Sequence, residues 1–236
     1  KGLGVARQLF CSITDLGLPV ATEMLDTITP QYFADLISWG AVGARTTESQ
    51  PHREMSSGLS FPVGFKNSTD GNLRIAMDAM SAAAHEHSFL GINRFGKISI
   101  VETSGNPHVH IVLRGGGGKP NYAREDITAT EEQLRERNIP GAIMVDCSHA
   151  NSNKDHTRQP VVARDVLDQL EDGNTSIRAL MIESNIECGN QPIDTAPDLK
   201  YGISVTDKCI SWEETDDLLR ELHQRLEGMG GRRTAD

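Results

Sequence analysis

Short apolar runs of β type alternate with amphipathic segments along most of this chain, and that alternation restricts the fold more than any other feature. The apolar runs, each ending in polar residues, are LPVATEM, GAVGAR, PVGFKN, HIVLRG, AIMVDCS and ALMIES. A further apolar pair, FLGIN and ISIVE, flanks RFGK and predicts a β-hairpin inserted between two units. Strands joined by helices pair in parallel through right-handed crossovers, so we predict an α/β fold that is either doubly wound or closed as a barrel.

Capping residues indicate where two of the helices begin and end. In TITPQYFADLISWG, Thr29 is a predicted N-cap, Pro30 suits the first helical position, and Gly40 is the predicted end of the helix. In SWEETDDLLRELHQRLEG, Ser211 and Glu214 form a capping-box pattern. The predicted apolar stripe of that helix consists of Leu218, Leu219, Leu222 and Leu226.

Polar residues at the predicted strand ends favour a barrel over an open sheet. Each of six residues follows a different strand, namely Glu23, Arg45, Lys66, Arg114, His149 and Glu183. In a (β/α)8 barrel these carboxyl ends converge on one mouth, where active sites lie. In an open sheet the outer residues would be too far apart to cooperate, so we predict a (β/α)8 barrel.

Three of these residues are cationic, namely Arg45, Lys66 and Arg114. Cations that converge on one mouth of an acidic protein indicate a small phosphorylated or carboxylated substrate, since Arg binds such groups through two hydrogen bonds and Lys supplies a point charge. The alternative is three surface salt bridges, and spacing alone leaves both interpretations open.

A second subset, His149, Glu183 and Asp207, has the chemistry of a metal site. Imidazole and carboxylates suit a divalent ion such as Mn²⁺, Fe²⁺, Co²⁺ or Zn²⁺. Each of these residues is also of a type that commonly lies solvated or hydrogen-bonded in a loop, so this alternative stays open from the residues alone.

Composition and missing motifs exclude several classes of function. The net charge of −10 disfavours binding to nucleic acid or to an anionic membrane surface. Because no apolar run approaches a membrane span and the chain begins without a signal-peptide core, we expect a soluble, cytoplasmic protein. RGGGGKP is not a phosphate-binding loop because Pro120 follows Lys119, and Ser148 lacks the G-x-S-x-G elbow of a serine hydrolase.

Several long motifs, in the same order along the chain, are similar to those of a known enzyme family. They are GARTTESQPHRE, PVGFKNSTDG, GNPHVHIVLRGG, PNY, DCSHANSNKD, MIESN, CGNQ and YGISVTDKCISWE. From about Gly2 to Leu226 the chain resembles the type I, feedback-regulated group of metal-dependent 3-deoxy-D-arabino-heptulosonate-7-phosphate (DAHP) synthases. The resemblance implies a (β/α)8 barrel that condenses phosphoenolpyruvate with erythrose 4-phosphate, the entry to aromatic amino-acid biosynthesis.

The same resemblance implies a role for each candidate residue. His149, Glu183 and Asp207 resemble metal ligands, and Arg45, Lys66 and Arg114 resemble the phosphoenolpyruvate-binding residues. Glu23 resembles a glutamate that interacts with the attacking water. Glu23, Lys66 and Asp207 are the expected catalytic residues.

Feedback regulation is a further implication of the resemblance. The expected binding site for an aromatic amino acid involves Pro30, Gln31, Ser60, Phe89 and Gly91. Glycine at position 91 resembles the tyrosine-sensitive members, although it would also suit packing within the hairpin. Members of the family form homodimers or tetramers, so we expect a homo-oligomer.

The chain also departs from the family pattern. The family's fourth metal ligand is a cysteine in a Cys-Ser-Ile run, yet the sequence after Cys11 resembles the segment that leads into the third barrel strand. We therefore expect about six βα units, a longer parent polypeptide and no activity from this chain alone. Cys11 should be a packing residue on the last turns of a helix that lies on the outside of the barrel, with an apolar stripe predicted at Leu3, Ala6, Phe10 and Ile13. The four cysteines are widely spaced and predicted to be reduced thiols.

Two functional alternatives remain open. One is another enzyme, either the related eight-carbon sugar-acid phosphate synthase or a divalent-metal lyase on the same barrel. The other is a truncated, non-catalytic partner or regulatory subunit that retains the effector site. The predicted domains are a partial barrel over residues 1–228 and a disordered tail over residues 229–236.

Overall fold

The computed structural model describes residues 1–93, 95–195 and 197–229. Residues 230–236, most of the predicted tail, lie outside this description, and the division into domains stays a prediction. The chain forms two compact units. The first comprises residues 1–112 and 130–143, and the second comprises residues 113–129 and 144–236.

Strands and helices alternate in the order that the sequence predicts. The strands are β1 (Val20–Glu23), β2 (Ile37–Val42), β3 (Val63–Lys66), β4 (His87–Ile92), β5 (Ile98–Thr103), β6 (Val109–Leu113), β7 (Ile143–Asp146) and β8 (Ile177–Met181). The α-helices are α1 (Gly2–Asp15), α2 (Pro30–Phe33), α3 (Gln50–Ser57), α4 (Leu73–Ala83), α5 (Arg124–Glu136), α6 (Gln159–Glu171) and α7 (Trp212–Gly228). Short 3-10 turns lie at Ala34–Leu36, His156–Arg158 and Ile193–Thr195.

In the first unit, β1, β2, β3 and β6 pair in parallel in that order. One face of these strands is fully buried, with Val63, Phe65 and Ile111 at 0% exposure. Helix α4 buries a matching apolar face, which consists of Ala76, Met77, Ala79, Met80 and Ala83. This burial supplies the main hydrophobic stabilisation of the unit.

The opposite face of the same strands is partly polar. Trp39 Nε1 donates a hydrogen bond to His110 Nε2 over 2.9 Å, and burial lowers the pKa of His110 against the smaller opposing effect of a backbone hydrogen bond at His108. Gly64 lies between them, and a Cβ there would come within 2.6 Å of both Trp39 Cζ2 and Val112 Cγ2. Only glycine therefore fits at this position.

The predicted hairpin is confirmed. β4 and β5 pair antiparallel, with Leu90 opposite Ile100, and the connecting turn lies in the RFGK segment, of which Arg94 is outside the described residues. Leu90 and Ile100 are exposed, whereas Phe89 and Val101 on the other face are half-buried.

In the second unit, β7 and β8 are neighbours, and the Cys147 N–H donates to the Met181 carbonyl over 2.8 Å. The capping box of α7 is confirmed, because Ser211 Oγ accepts from Glu214 N and Glu214 Oε2 accepts from Ser211 N. Arg225 of the same helix donates to carboxylates of α6. Helix α7 ends at Gly228.

The predictions for the outer helices need three corrections. Helix α2 ends at Phe33, and Gly40 lies inside β2, where a Cβ would meet Phe61 at 2.7 Å. Thr29 occupies the N-cap, as predicted, but its hydroxyl donates to Asp26 Oδ2 over 2.8 Å and does not accept from the helix backbone. Leu219 is 50% exposed and lies off the buried stripe of α7, and Leu3 is 37% exposed on α1.

The interpretation of Cys11 as a packing residue agrees with the structure. It is half-buried on α1, as are Ala6, Phe10 and Ile13. The Phe10 ring packs edge-on against Phe33 with 5.4 Å between ring centroids. All four cysteines are free thiols, as predicted.

We expect Gly64→Ala to lower the free energy of unfolding by about 1–3 kcal/mol, because the added methyl overlaps fixed atoms on both sides. Urea denaturation followed by circular dichroism measures the change. Gly141→Ala is the matched control, since nothing lies within 4 Å of a Cβ at that position. Equal stability of the two variants would contradict the packing argument.

Candidate metal centre and substrate site

Three side chains of the second unit converge after its strand ends. His149 lies in the loop after β7, Glu183 follows β8, and Asp207 belongs to the segment that precedes α7. His149 Nε2 lies 3.7 Å from Glu183 Oε1 and 3.7 Å from Asp207 Oδ2, and one ligand atom from each residue lies within 4.8 Å of the others. The structure thus brings together the three residues that the sequence nominates as metal ligands.

The donor set and its spacing fit a divalent cation. Ligand atoms that bind one ion at about 2 Å lie roughly 3 to 4 Å apart, which is the separation between His149 Nε2 and each carboxylate. Two carboxylates that face the same point repel each other, and a cation between them would offset that repulsion. His149, Glu183 and Asp207 could therefore hold a metal ion.

His149 is oriented from behind by a buried carboxylate. Its Nδ1 lies 3.0 Å from Asp146 Oδ2, and Asp146 is fully buried. The geometry of this contact is not that of a hydrogen bond, so the carboxylate lies against Nδ1 without a directed bond. Because Nδ1 faces Asp146, Nε2 is the nitrogen left to face Glu183 and Asp207, which is the usual arrangement for a metal-binding histidine.

Glu183 is held at its backbone and at its carboxylate. Gln159 donates to the Glu183 carbonyl over 3.0 Å and accepts from the Glu183 N–H over 2.7 Å, and Ser148 Oγ donates to Glu183 Oε2 over 2.8 Å. Burial raises the pKa of Glu183, the Ser148 bond and His149 oppose that rise, and the charges of Asp146 and Asp207 add to it. A nearby cation would favour the ionised form that binds metal.

The Asp207 segment reaches this site through backbone bonds. The Ile210 N–H donates to the Glu183 carbonyl over 3.0 Å, and Cys209 exchanges two backbone bonds with Gly189. Asp207 itself is exposed. Burial is the main cause of a raised pKa at the Cys209 thiol, which therefore stays protonated beside the two carboxylates.

Arg114 directly follows β6, as predicted, and its carbonyl accepts from Ala150 N over 3.2 Å. The glycines after it make a sharp turn. Gly115, Gly117 and Gly118 all have positive φ, and a Cβ at Gly115 would meet the Lys119 carbonyl oxygen at 2.7 Å. The backbone of Arg114 therefore adjoins the loop that carries His149.

The first unit contains Glu23, Arg45 and Lys66. Glu23 and Lys66 are the last residues of β1 and β3, and Arg45 lies in the turn after β2. Thr47 Oγ1 lies 2.8 Å from the Gly43 carbonyl and 2.9 Å from the Lys66 carbonyl, which joins the Arg45 turn to the end of β3. A convergence of these residues with those of the second unit stays a prediction.

Gly43 explains how Glu23 can lie against the Arg45 turn. A Cβ at Gly43 would come within 2.2 Å of Glu23 Oε1. Gly43 was not predicted from the sequence, because one glycine within GAVGAR gives no signal that a neighbouring carboxylate occupies its side-chain space.

A cavity of about 610 Å³ lies in the first unit between α2, α3 and the β-hairpin. Four of the five predicted effector residues, Pro30, Gln31, Phe89 and Gly91, line it. Ser60 lines an adjoining groove of about 430 Å³ that shares Gly58 and Leu59 with the cavity. Helix α3 also lines the cavity, through Pro51, Glu54 and Met55, and these three residues were not predicted from the sequence.

Residues 1–220 match the model of the DAHP synthetase I family. The chain belongs to this family. A tyrosine-sensitive phospho-2-dehydro-3-deoxyheptonate aldolase of Salmonella typhimurium (strain LT2) is 57% identical over 228 residues, which are 96% of this chain and 64% of the relative. A phenylalanine-sensitive one of Escherichia coli (strain K12) is 50% identical over 230 residues, 98% of this chain and 65% of that relative.

A solved structure has the same fold over nearly all of this chain. The phospho-2-dehydro-3-deoxyheptonate aldolase of Francisella tularensis SCHU S4 superposes with a TM-score of 0.91 at 47% identity, covering 96% of this chain and 66% of that one. The predicted fold class, a (β/α)8 barrel of which about six βα units are present together with an inserted hairpin, is confirmed. Among the described residues, no helix is both long and apolar enough to cross a bilayer.

We expect Asp146→Asn to lower the affinity for Mn²⁺ by about 10- to 100-fold, because the amide no longer supplies the charge that orients His149. Isothermal titration calorimetry on the purified chain measures the affinity. Asp217→Asn, on the exposed side of α7, controls for the loss of one negative charge. Unchanged Mn²⁺ affinity in Asp146→Asn would contradict the orienting role.

Proposed function

We propose that this chain contributes the metal-binding and phosphoenolpyruvate-binding groups for the condensation of phosphoenolpyruvate with erythrose 4-phosphate. The observation that carries the proposal is the cluster of His149, Glu183 and Asp207, with both carboxylates 3.7 Å from His149 Nε2. Family membership supports the same reaction. The chain spans 64% of the length of the Salmonella relative, so its substrates are part of this proposal.

The reaction forms a carbon–carbon bond from C3 of phosphoenolpyruvate to the aldehyde carbon of erythrose 4-phosphate. The aldehyde oxygen takes up a proton and water adds at C2. The bond between C2 and the phosphate oxygen then breaks, which forms the C2 carbonyl and releases inorganic phosphate. A divalent cation held by His149, Glu183 and Asp207 would supply Lewis acidity to the aldehyde oxygen.

The cations of the chain have a separate task in this proposal. Arg45, Lys66 and Arg114 bind the phosphate and carboxylate of phosphoenolpyruvate and neutralise their charge. Glu23 orients the water that adds at C2 and accepts its proton. Gly43 supports this role, because its missing Cβ leaves the space that the Glu23 carboxylate occupies.

We further propose that the cavity beside the hairpin binds tyrosine as a feedback effector. Apolar residues from α3 and the hairpin suit the aromatic ring, and Glu54 offers a negative charge to an ammonium group. The 57% identity to a relative named tyrosine-sensitive, against 50% to one named phenylalanine-sensitive, supports tyrosine. We also propose a cytoplasmic homo-oligomer, a dimer or tetramer, with Mn²⁺, Fe²⁺, Co²⁺ or Zn²⁺ at the metal site.

We expect Lys66→Ala to weaken phosphoenolpyruvate binding by about 10- to 100-fold, because a charge-assisted hydrogen bond contributes about 1.5–3 kcal/mol. Calorimetric titration with phosphoenolpyruvate and with Mn²⁺ measures both affinities, and the Mn²⁺ affinity should not change. Lys208→Ala, an exposed lysine near Asp207, is the matched control for loss of a cation.

Three results would argue against the proposal. A wild-type chain that binds neither Mn²⁺ nor phosphoenolpyruvate would refute it. Phosphate release from phosphoenolpyruvate with arabinose 5-phosphate, but not with erythrose 4-phosphate, would favour the related eight-carbon synthase. Tyrosine binding without phosphoenolpyruvate binding would favour a regulatory subunit.

We expect Gly91→Ser to weaken tyrosine binding relative to phenylalanine binding. A Cβ at this position already comes within 2.7 Å of Val101 Cγ2, so the new hydroxymethyl group must take space from the cavity. Titration with each amino acid measures the ratio of affinities. Ile100→Ser, on the exposed side of the same hairpin, should leave the ratio unchanged, and tyrosine affinity unaltered by Gly91→Ser would refute this site.

A further inference from the structure

Asn151 lies in the loop between β7 and α6 and is only 1% exposed. Its Nδ2 donates to the Leu113 carbonyl over 3.0 Å and to the Asp146 carbonyl over 2.8 Å. Its Oδ1 accepts from the Asn121 N–H over 2.8 Å. Both amide hydrogens and the amide oxygen are therefore engaged, which is the condition for a buried amide to stabilise its surroundings.

These three bonds join segments that each carry or adjoin a site residue. Leu113 directly precedes Arg114, and Asp146 contacts the His149 ring. Asn121 extends the connection, since its Oδ1 accepts from the Gly115 N–H over 2.7 Å. The backbone is thus held on both sides of Arg114. The Leu113 carbonyl before it bonds to the Asn151 amide directly, and the Gly115 N–H after it is connected to that amide through Asn121.

Close packing reinforces the connection. A Cβ at Gly115 would lie 2.9 Å from Asn151 Oδ1 and 2.8 Å from the Ala150 methyl. The Ala150 N–H donates to the Arg114 carbonyl over 3.2 Å. The chain after Arg114 therefore lies directly against the loop that presents His149, and neither segment can shift without the other.

We propose that Asn151 is a positioning residue that fixes the Arg114 backbone in register with the His149 loop, so that one amide sets both the anion site and the metal site. The inference rests on the proposed roles of Arg114 and His149. Aspartate is the informative replacement, because it has the same shape but turns the donor of two bonds into an oxygen that faces two carbonyl oxygens.

A buried asparagine could also matter only for stability, and the chain contains a matched example. Asn106 is 1% exposed, its Nδ2 donates to the Ser56 and Phe61 carbonyls, and its Oδ1 accepts from His108 N. The pattern of bonds is the same. None of its three partners is assigned to metal or substrate binding.

The test compares Asn151→Asp with Asn106→Asp and with wild type. We expect similar losses of stability in urea denaturation, since each variant buries a carboxylate against two carbonyls. Only Asn151→Asp should lose about 10- to 100-fold in Mn²⁺ affinity, alter the visible absorption spectrum of bound Co²⁺, and weaken phosphoenolpyruvate binding.

Two results would overturn the inference while leaving the proposed function intact. One is a wild-type Co²⁺ spectrum and wild-type affinities in Asn151→Asp. The other is a loss of affinity for Mn²⁺ and phosphoenolpyruvate in Asn106→Asp that equals the loss in Asn151→Asp. Should Asn151→Asp fail to fold, Asn121→Ala replaces it, because it removes the bond that Asn121 Oδ1 accepts from the Gly115 N–H while the Asn151 side chain stays in place. That variant should weaken phosphoenolpyruvate binding and keep the Co²⁺ spectrum, and unchanged phosphoenolpyruvate affinity would reject the inference.

Failure of the wild-type chain to bind either Mn²⁺ or phosphoenolpyruvate would instead refute the proposed function.

Discussion

Parallel hydrogen bonding between strands is the constraint on which the candidate site depends, because it places the carboxyl ends of neighbouring strands at one edge. In the first unit, Glu23 pairs with Ala41 and Lys66 with Val112. A slip of one residue would turn Lys66 to the opposite face. Gly64 opposes such a slip, because the Trp39 and Val112 side chains fill the space of its missing Cβ.

Strand pairing alone does not place the loops beyond the strands, and buried amides do this in the second unit. Gln159 bonds both backbone groups of Glu183, and Asn151 bonds the ends of β6 and β7. An amide offers donors and an acceptor without a net charge, so it can be buried near two carboxylates without adding repulsion. The side chains with site chemistry are thus held by neutral neighbours as well as by the buried charge of Asp146.

The sequence predicted strand positions well because apolar runs that end in polar residues need no tertiary information. His149 and Glu183 were found for this reason, whereas the approach of Asp207 depends on irregular backbone bonds such as that from Ile210 to Glu183. The predicted end of the helix at Gly40 was wrong, because that glycine is required by the Phe61 ring rather than by a helix end. The α3 wall of the cavity was missed for a similar reason, since its exposure depends on where the hairpin packs.

The backbone conformation of His149 affects which substitutions at this position would stabilise the protein. Its φ is +55°, a left-handed conformation that costs a non-glycine residue about 1–2 kcal/mol. Glycine would adopt the same turn without that cost, so the imidazole is kept at the expense of local stability. Selection of variants for thermal stability alone would therefore favour glycine at position 149 and remove a metal ligand, whereas selection that includes metal binding would oppose it.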